Sequence, residues 1–326
     1  MSVNLIDHPC VWHSDELFSR DEWLHTFTSA EVSALDNILD TGEAGDANPI
    51  VQRLCYVRDM LETGGGACMM RGIPVQRYTE EQAAALFSLL AGKVGTLLSQ
   101  SAAGERVFSV RDAGFKNDDP RARGPNTRKK LSFHSDRCDV IAFLCLKQAK
   151  EGGENEVVSS AAIFNELASS RPDLLDVLKQ PFYYQRHNVD TGNEKPWTQQ
   201  PVFSVHDGHF ACNLLRVLID RAYANPELPD MTAVQKEALD AVEEIASRPE
   251  FHFRFRQRPG DMLFLNNWVT LHRRTEFVDH TDPEEKRHIL RIWLSVPNSR
   301  PLDPMYAGNY GATEAGAVRG GMRAGS

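Results

Sequence analysis

From Leu131 onward the chain is written in short β-forming runs that never settle into a regular βαβ alternation, and this pattern constrains the fold most. Asp139–Lys147 is rich in β formers, Glu151-Gly-Gly-Glu154 is a turn, and Glu156–Val158 resumes the strand. Phe182–His187, Pro201–Val205, His209–Asn213, Phe251–Arg256, Met262–Asn267 and His288–Val296 read as further strands. Helices interrupt them. Ser160 caps one through Leu167, Pro172 starts another, and the capping box Thr232-Ala-Val-Gln235 opens a third to about Ala246. A parallel α/β sheet needs a crossover between successive strands. Without that regularity, the expected fold is mainly β with helical insertions, a double-sheet jelly roll wrapped in helices.

The N-terminal part, about residues 1–100, reads as helical. Thr28-Ser-Ala-Glu31 is a capping box before Val32, Leu35 and Ile38, and Thr79-Glu-Glu-Gln82 opens a helix carrying Ala83, Leu86, Leu89 and Leu90. The jelly-roll core is expected over about 101–300. The Gly/Ala-rich tail 305–326 is expected to be loosely held. All of it forms one domain over 1–326, because the chemistry-bearing residues sit in the strand-rich part. Residues 102–130 are polar, and Lys116–Lys130 reads as a long mobile loop, either a lid or a plain solvated loop.

Bulk properties exclude several classes. The 326 residues are 41% apolar and 25% charged, an ordinary globular composition. A net charge of −9 argues against nonspecific nucleic-acid binding, which needs a basic face. No apolar run approaches the roughly 20 residues of a membrane helix. The start Met-Ser-Val-Asn-Leu-Ile-Asp-His-Pro shows no secretory signal. Six cysteines without CxxC spacing read as free thiols in a reducing cytoplasm. The expectation is a cytoplasmic protein with no nucleic-acid or membrane partner; a homo-oligomer is compatible with it.

The chemistry concentrates in three places. His134 and Asp136 are two apart, so on a strand both face one side, whereas a helix would set them roughly 200° apart. Alone the pair is weak, since about one His-x-Asp arises by chance in such a chain, and a surface strand end with a capping Asp is the plain alternative. His272 follows a turn at Pro259-Gly-Asp261, the buried strand Met262–Leu265 and the strand end Asn266-Asn267. Two imidazoles and one carboxylate on one face of an ion leave the other face open, the facial triad of non-heme Fe(II) oxygenases. Fifteen residues beyond His272 stands Arg287, and four further on Arg291. As a strand, Arg287-His-Ile-Leu-Arg-Ile-Trp-Leu-Ser295 puts both arginines on one face and His288, Leu290, Ile292 and Leu294 on the other. A strand this apolar is buried, and buried cations need partners, either internal carboxylates or ligands. Arginine matches a carboxylate because it donates two parallel hydrogen bonds.

Taken together, His134-x-Asp136, His272 and Arg287 resemble the Fe(II)/2-oxoglutarate dioxygenases of the TauD/TfdA family, in the clavaminate-synthase-like superfamily. The resemblance covers about Leu131 to Pro297. It implies a double-stranded β-helix, a cupin-like jelly roll. It implies that His134, Asp136 and His272 bind Fe(II), that Arg287 binds the distal carboxylate of 2-oxoglutarate, and that Arg291 grips a substrate's acidic group. Many relatives place Thr or Ser two residues after the Gly152-Gly153 turn to help hold the cosubstrate; here that position is Asn155, whose amide can still donate. Asp136 argues against halogenation, because halogenating relatives have a small residue there. The implied activity consumes O2 and 2-oxoglutarate, releases succinate and CO2, and oxidises a C–H bond of a small acidic substrate such as an amino acid. Hydroxylation is the default outcome, with desaturation or cyclisation open. The alternatives are a cupin-like metal hydrolase or isomerase that does not use 2-oxoglutarate, and a non-catalytic ligand-binding jelly roll.

Other residues are weaker candidates. His206-Asp-Gly-His209 reads better as a hairpin turn than as a metal pair. Arg186 is taken as a second substrate-binding residue, while His187, Arg111, Gln100 and Asn213 are candidates for facing the pocket. Cys138 reads as a pocket-wall or core residue.

Overall fold

The computed structural model describes residues 4–45, 47–114, 124–186 and 193–323. Its larger sheet runs in the order Leu24–Thr26, Ala67–Arg71, Met262–Asn266, Val140–Lys147 and His288–Ser295. Thr96–Leu98 and Val107–Val110 both pair with His288–Ser295. Every pairing is antiparallel except that of Leu24–Thr26 with Ala67–Arg71. A smaller antiparallel sheet runs His252–Phe255, Asn155–Ser159, Thr270–Arg274.

Strand alternation explains how the layers stack. Ile141, Leu263, Leu265 and Trp293 of the large sheet meet Val157 and Phe253 of the small one in a shared core. The opposite side chains of the same large-sheet strands, Val140, Ala142, Leu144, Phe264, Leu290, Ile292 and Leu294, pack under the helices Ser29–Thr41, Pro49–Thr63 and Glu80–Val94. Val158 and Leu271, on the outer face of the small sheet, lie under Ser160–Ser170, Pro172–Leu178 and Ala233–Ser247. Two-sided burial makes the central strands continuously apolar; His288–Ser295 is buried at all eight positions. At roughly 1.5–3 kcal/mol for each large aliphatic side chain, this layering dominates stability. The fold is the expected jelly roll wrapped in helices.

Three expectations change. The N-terminal part carries the anticipated capping boxes at Thr28/Glu31 and Thr79/Gln82, but it also supplies Leu24–Thr26, Ala67–Arg71 and Thr96–Leu98 to the large sheet. These strands are three to five residues long, too short for period-two alternation to stand out. Residues 102–130 contain the strand Val107–Val110, while residues 115–123 of the expected loop lie outside the described residues. The tail is not loosely held. Arg319 is buried and pairs with buried Asp139 at 2.7 Å, and the rings of Tyr306 and Tyr310 lie 5.5 and 4.7 Å from Trp268. Glycine serves a close approach there: a Cβ at Gly320, whose φ is +80°, would sit 2.6 Å from the Arg137 carbonyl oxygen. Among the described residues no helix is long and apolar enough to cross a membrane.

Candidate active site

His134 and His272 are directly opposed across the end of the small sheet. Each backbone N–H donates to the other's carbonyl, at 3.0 and 2.9 Å, so both imidazoles stand on the same side with ring centroids 4.5 Å apart. The His134–Asp136 segment makes this single bridge instead of a full strand, yet it alternates like one. Ser135 turns away: its N–H donates to the Leu214 carbonyl at 2.8 Å, and its hydroxyl accepts from Leu214 N–H and Asn213 Nδ2 at 3.1 Å each. That leaves His134 and Asp136 on the cleft side. The Asp136 N–H donates to Asn267 Oδ1 at 3.0 Å, which ties the ligand backbone to the end of the Met262–Asn266 strand.

One donor atom from each of His134, Asp136 and His272 lies within 4.8 Å of the others, the one such His/Cys/Asp/Glu group among the described residues. The set fits a divalent transition metal. Asp136 Oδ2 is buried with no hydrogen-bond partner, a costly state for a carboxylate oxygen unless a cation meets it. His134 Nδ1 lies 2.9 Å from the Ser132 carbonyl, so a proton on Nδ1 leaves the Nε2 lone pair for an ion. Burial, reinforced by His272, pulls the His134 pKa down to about 4, so the imidazole is neutral at physiological pH. Burial alone would raise the Asp136 pKa, but Arg291, His272 and His134 outweigh it and hold the carboxyl well below its usual range.

The two arginines of the buried strand fare differently. Arg287 is 4% exposed, and its Nε and Nη1 are buried without hydrogen-bond partners. No carboxylate among the described residues lies within ion-pair distance of its guanidinium, which is where the internal-partner alternative fails. Burial draws its pKa down to about 10. Arg291 does have internal partners: Nε donates to Gln100 Oε1 at 2.7 Å, and Nη1 lies 3.6 Å from Asp136 Oδ1. Both arginines line the cleft with the triad, Asn155, Gln257, Phe143 and Ile289. Asn155 Nδ2 donates to Gln257 Oε1 at 3.2 Å.

Several weaker candidates lie elsewhere. Arg186 is not on the cleft, and its Nη2 donates to the Gly308 carbonyl at 2.5 Å, holding the tail. Arg111 is exposed, and His187 lies outside the described residues. Asn213 is buried beneath Ser135, where it also donates to the Tyr310 hydroxyl at 2.6 Å. Gln100 holds Arg291 from both ends, since its Nε2 donates to the Arg291 carbonyl at 2.9 Å. Asp207 and Gly208 turn a hairpin at positive φ, pairing His206 with His209 as expected of a turn. Cys138 is a core residue whose sulfur accepts from Asn267 Nδ2 at 3.0 Å. The sequence reading missed Asn267 and Arg274. Arg274 lines the cleft, and strand alternation from His272 was the available signal.

Residues 56–293 match the family model described as taurine catabolism dioxygenase TauD, TfdA family. The chain is 36% identical over 246 residues to the FR-33289 synthase of Streptomyces rubellomurinus, covering 74% of this chain and 72% of that one. It is 28% identical over 327 residues to the taurine hydroxylase-like protein SAT17 of Stachybotrys chartarum, covering 91% and 83%. The fold matches an asparagine oxygenase solved with Fe(II), 3-hydroxyasparagine and succinate, with a TM-score of 0.63 at 17% identity, covering 84% of this chain and 93% of that one. It also matches the non-heme iron oxygenase OrfP solved with Fe and alpha-ketoglutaric acid, with a TM-score of 0.60 at 17% identity, covering 83% and 94%.

Proposed function

The chain belongs to the taurine catabolism dioxygenase TauD, TfdA family, and from that membership we propose that it hydroxylates a C–H bond of a small acid, an amino acid being the first choice. It is an Fe(II)- and 2-oxoglutarate-dependent dioxygenase, an oxidoreductase. When bound, the iron and 2-oxoglutarate together reduce O2, one oxygen atom entering succinate as CO2 leaves and the other entering the substrate C–H bond. In this reading His134, Asp136 and His272 would hold the ion, which would supply the site at which the cosubstrate and O2 react.

The observation that carries the assignment is Arg287. A buried guanidinium with two unsatisfied nitrogens, in the same cleft as the triad, fits a carboxylate supplied by a ligand. A hydrolase or isomerase that used the triad alone would leave it unpaired. Asn155 lines the same cleft; its amide donates one N–H to Gln257 and keeps a second for a ligand's carboxylate. Arg291 keeps Asp136 charged and in place, and only the guanidinium N–H groups that Gln100 and Asp136 do not use remain for a substrate's acid. The walls Val110, Phe143 and Ile289 exclude water from the reacting centre. Arginine in the cleft favours an acidic substrate. The asparagine oxygenase and OrfP structures, solved with hydroxylated amino acids, favour an amino acid. A cytoplasmic setting accords with six free cysteines.

The test is succinate formation, equimolar with product, when Fe(II), O2 and 2-oxoglutarate are supplied with a panel of amino acids and small acids. Under anaerobic conditions Fe(II) with 2-oxoglutarate should give a weak visible charge-transfer band, which Arg287→Ala should abolish at concentrations that saturate the native protein. No succinate across the panel together with no band would end the assignment.

A further inference from the structure

We propose that Arg274 joins Arg287 in a two-cation clamp for the carboxylate of the dicarboxylate cosubstrate that points away from the triad. The proposal rests on the 2-oxoglutarate reading above and assigns a second residue to that cosubstrate. Arg274 shares a strand face with His272 two residues away, so it enters the same cleft about 7 Å farther along the strand. The guanidinium carbons of Arg274 and Arg287 lie 4.7 and 5.3 Å from the centroid of one ring, that of Phe277. Two buried cations therefore sit against the same side chain.

Arg274 is 5% exposed, and among the described residues its hydrogen bonds reach neutral acceptors. Nε donates to the Thr275 carbonyl at 3.1 Å and Nη2 donates to the Lys129 carbonyl. Among the described residues the acid that acts on it is Asp112, which Arg128 holds at 2.8 Å. Burial, and then the charge of Arg287, lower the Arg274 pKa to about 9. Like charges buried together without a counter-ion are unfavourable, and a carboxylate between them relieves both. Register sets Arg274 opposite Asn155, a neutral donor that spends one of its two amide N–H groups on Gln257. This end of the cleft thus offers a carboxylate two cations.

The experiment compares two cosubstrates. The Fe(II)-loaded native protein and Arg274→Gln are titrated anaerobically, by calorimetry, with 2-oxoglutarate and with 2-oxovalerate, the same chain length without the second carboxylate. A charge-assisted hydrogen bond is worth roughly tenfold to a hundredfold in affinity. The substitution should weaken 2-oxoglutarate by that factor and leave 2-oxovalerate within about twofold, and Arg274→Lys should recover part of the loss. Unchanged 2-oxoglutarate affinity overturns the clamp, including the case where only the KM of the acidic substrate rises. Equal weakening of both oxo acids also overturns it, since Arg274 would then merely prop the Lys129 segment. A native protein that binds neither oxo acid overturns the activity reading itself, before any variant is compared.

Discussion

His134 shows how burial prepares a ligand for a metal. Its pKa is held near 4 while an unfolded histidine titrates near 6.5, so between those values the unfolded chain binds a proton that the folded site refuses. The sign follows: the metal-free protein loses stability as pH falls from about 6.5 toward 4. His134→Gln removes this linkage. Its unfolding free energy, measured by urea titration at several pH values, should fall less steeply over that window than the native protein's, by up to about one proton. Equal slopes would mean that His134 is already solvated in the folded state. Asp136 depends in turn on a neighbour that the sequence could place but not pair. Strand alternation put Arg287 and Arg291 on one face, but no sequence pattern shows that Gln100 and Asp136 would engage Arg291 while Arg287 stays bare. Pairing depends on strands distant in sequence meeting, and that information is tertiary.

At the scale of elements, the legible parts were those with local signals. Thr28/Glu31, Thr79/Gln82 and Thr232/Gln235 are reciprocal capping boxes, and Asp207-Gly208 is a hairpin turn, because each depends on residues three or fewer apart. Edge strands such as Leu24–Thr26 and Thr96–Leu98 carry no such signal; pairing to Ala67–Arg71 and His288–Ser295 makes them strands. The two-residue ribbon Glu151–Gly152 with Phe277–Val278 is another tertiary product, and it presents Phe277 to Arg274 and Arg287. Gly152 has φ +70°, and a Cβ there would sit 2.2 Å from the Glu276 carbonyl oxygen. Gly152→Ala should therefore destabilise the protein by about 1–3 kcal/mol, the cost of a residue held in a disfavoured backbone state, and the backbone collision adds to it. Affinity for 2-oxoglutarate should fall as well, because the clash displaces Phe277. Thermal melting and an oxo-acid titration read the two effects separately, and a melting point within 1 °C of native would contradict the placement of this turn.

Across the whole molecule, the C-terminal segment closes the architecture over the metal motif, and composition concealed it because glycine and alanine give no apolar periodicity. Each of the residues from Ser135 to Asp139 is held from elsewhere in the fold, several by this segment. The Tyr310 hydroxyl lies 3.5 Å from the Asp136 carbonyl and accepts from Asn213, which also holds Ser135. Arg137 Nε donates to the Asn309 carbonyl at 2.5 Å, and Gly321 N–H donates to the Arg137 carbonyl at 2.7 Å. Arg319 then locks Asp139, which accepts as well from Trp268 Nε1 at 2.8 Å and from Ser295 Oγ and Val296 N–H at 3.0 and 3.1 Å. Breaking a buried pair by removing one partner costs about 3–5 kcal/mol, and the three remaining donors to Asp139 place this case at the lower end. Arg319→Met should lower the unfolding free energy by about 3 kcal/mol, and adding Asp139→Asn should recover part of that by removing the uncompensated charge. Because the lesion lies three residues from Asp136, Arg319→Met should also weaken Fe(II) binding at temperatures where the protein remains folded, although Arg319 touches no ligand. A variant that loses stability but keeps native metal affinity would make the tail a structural clasp alone; loss of both makes it part of how the fold aims the His134-x-Asp136 motif.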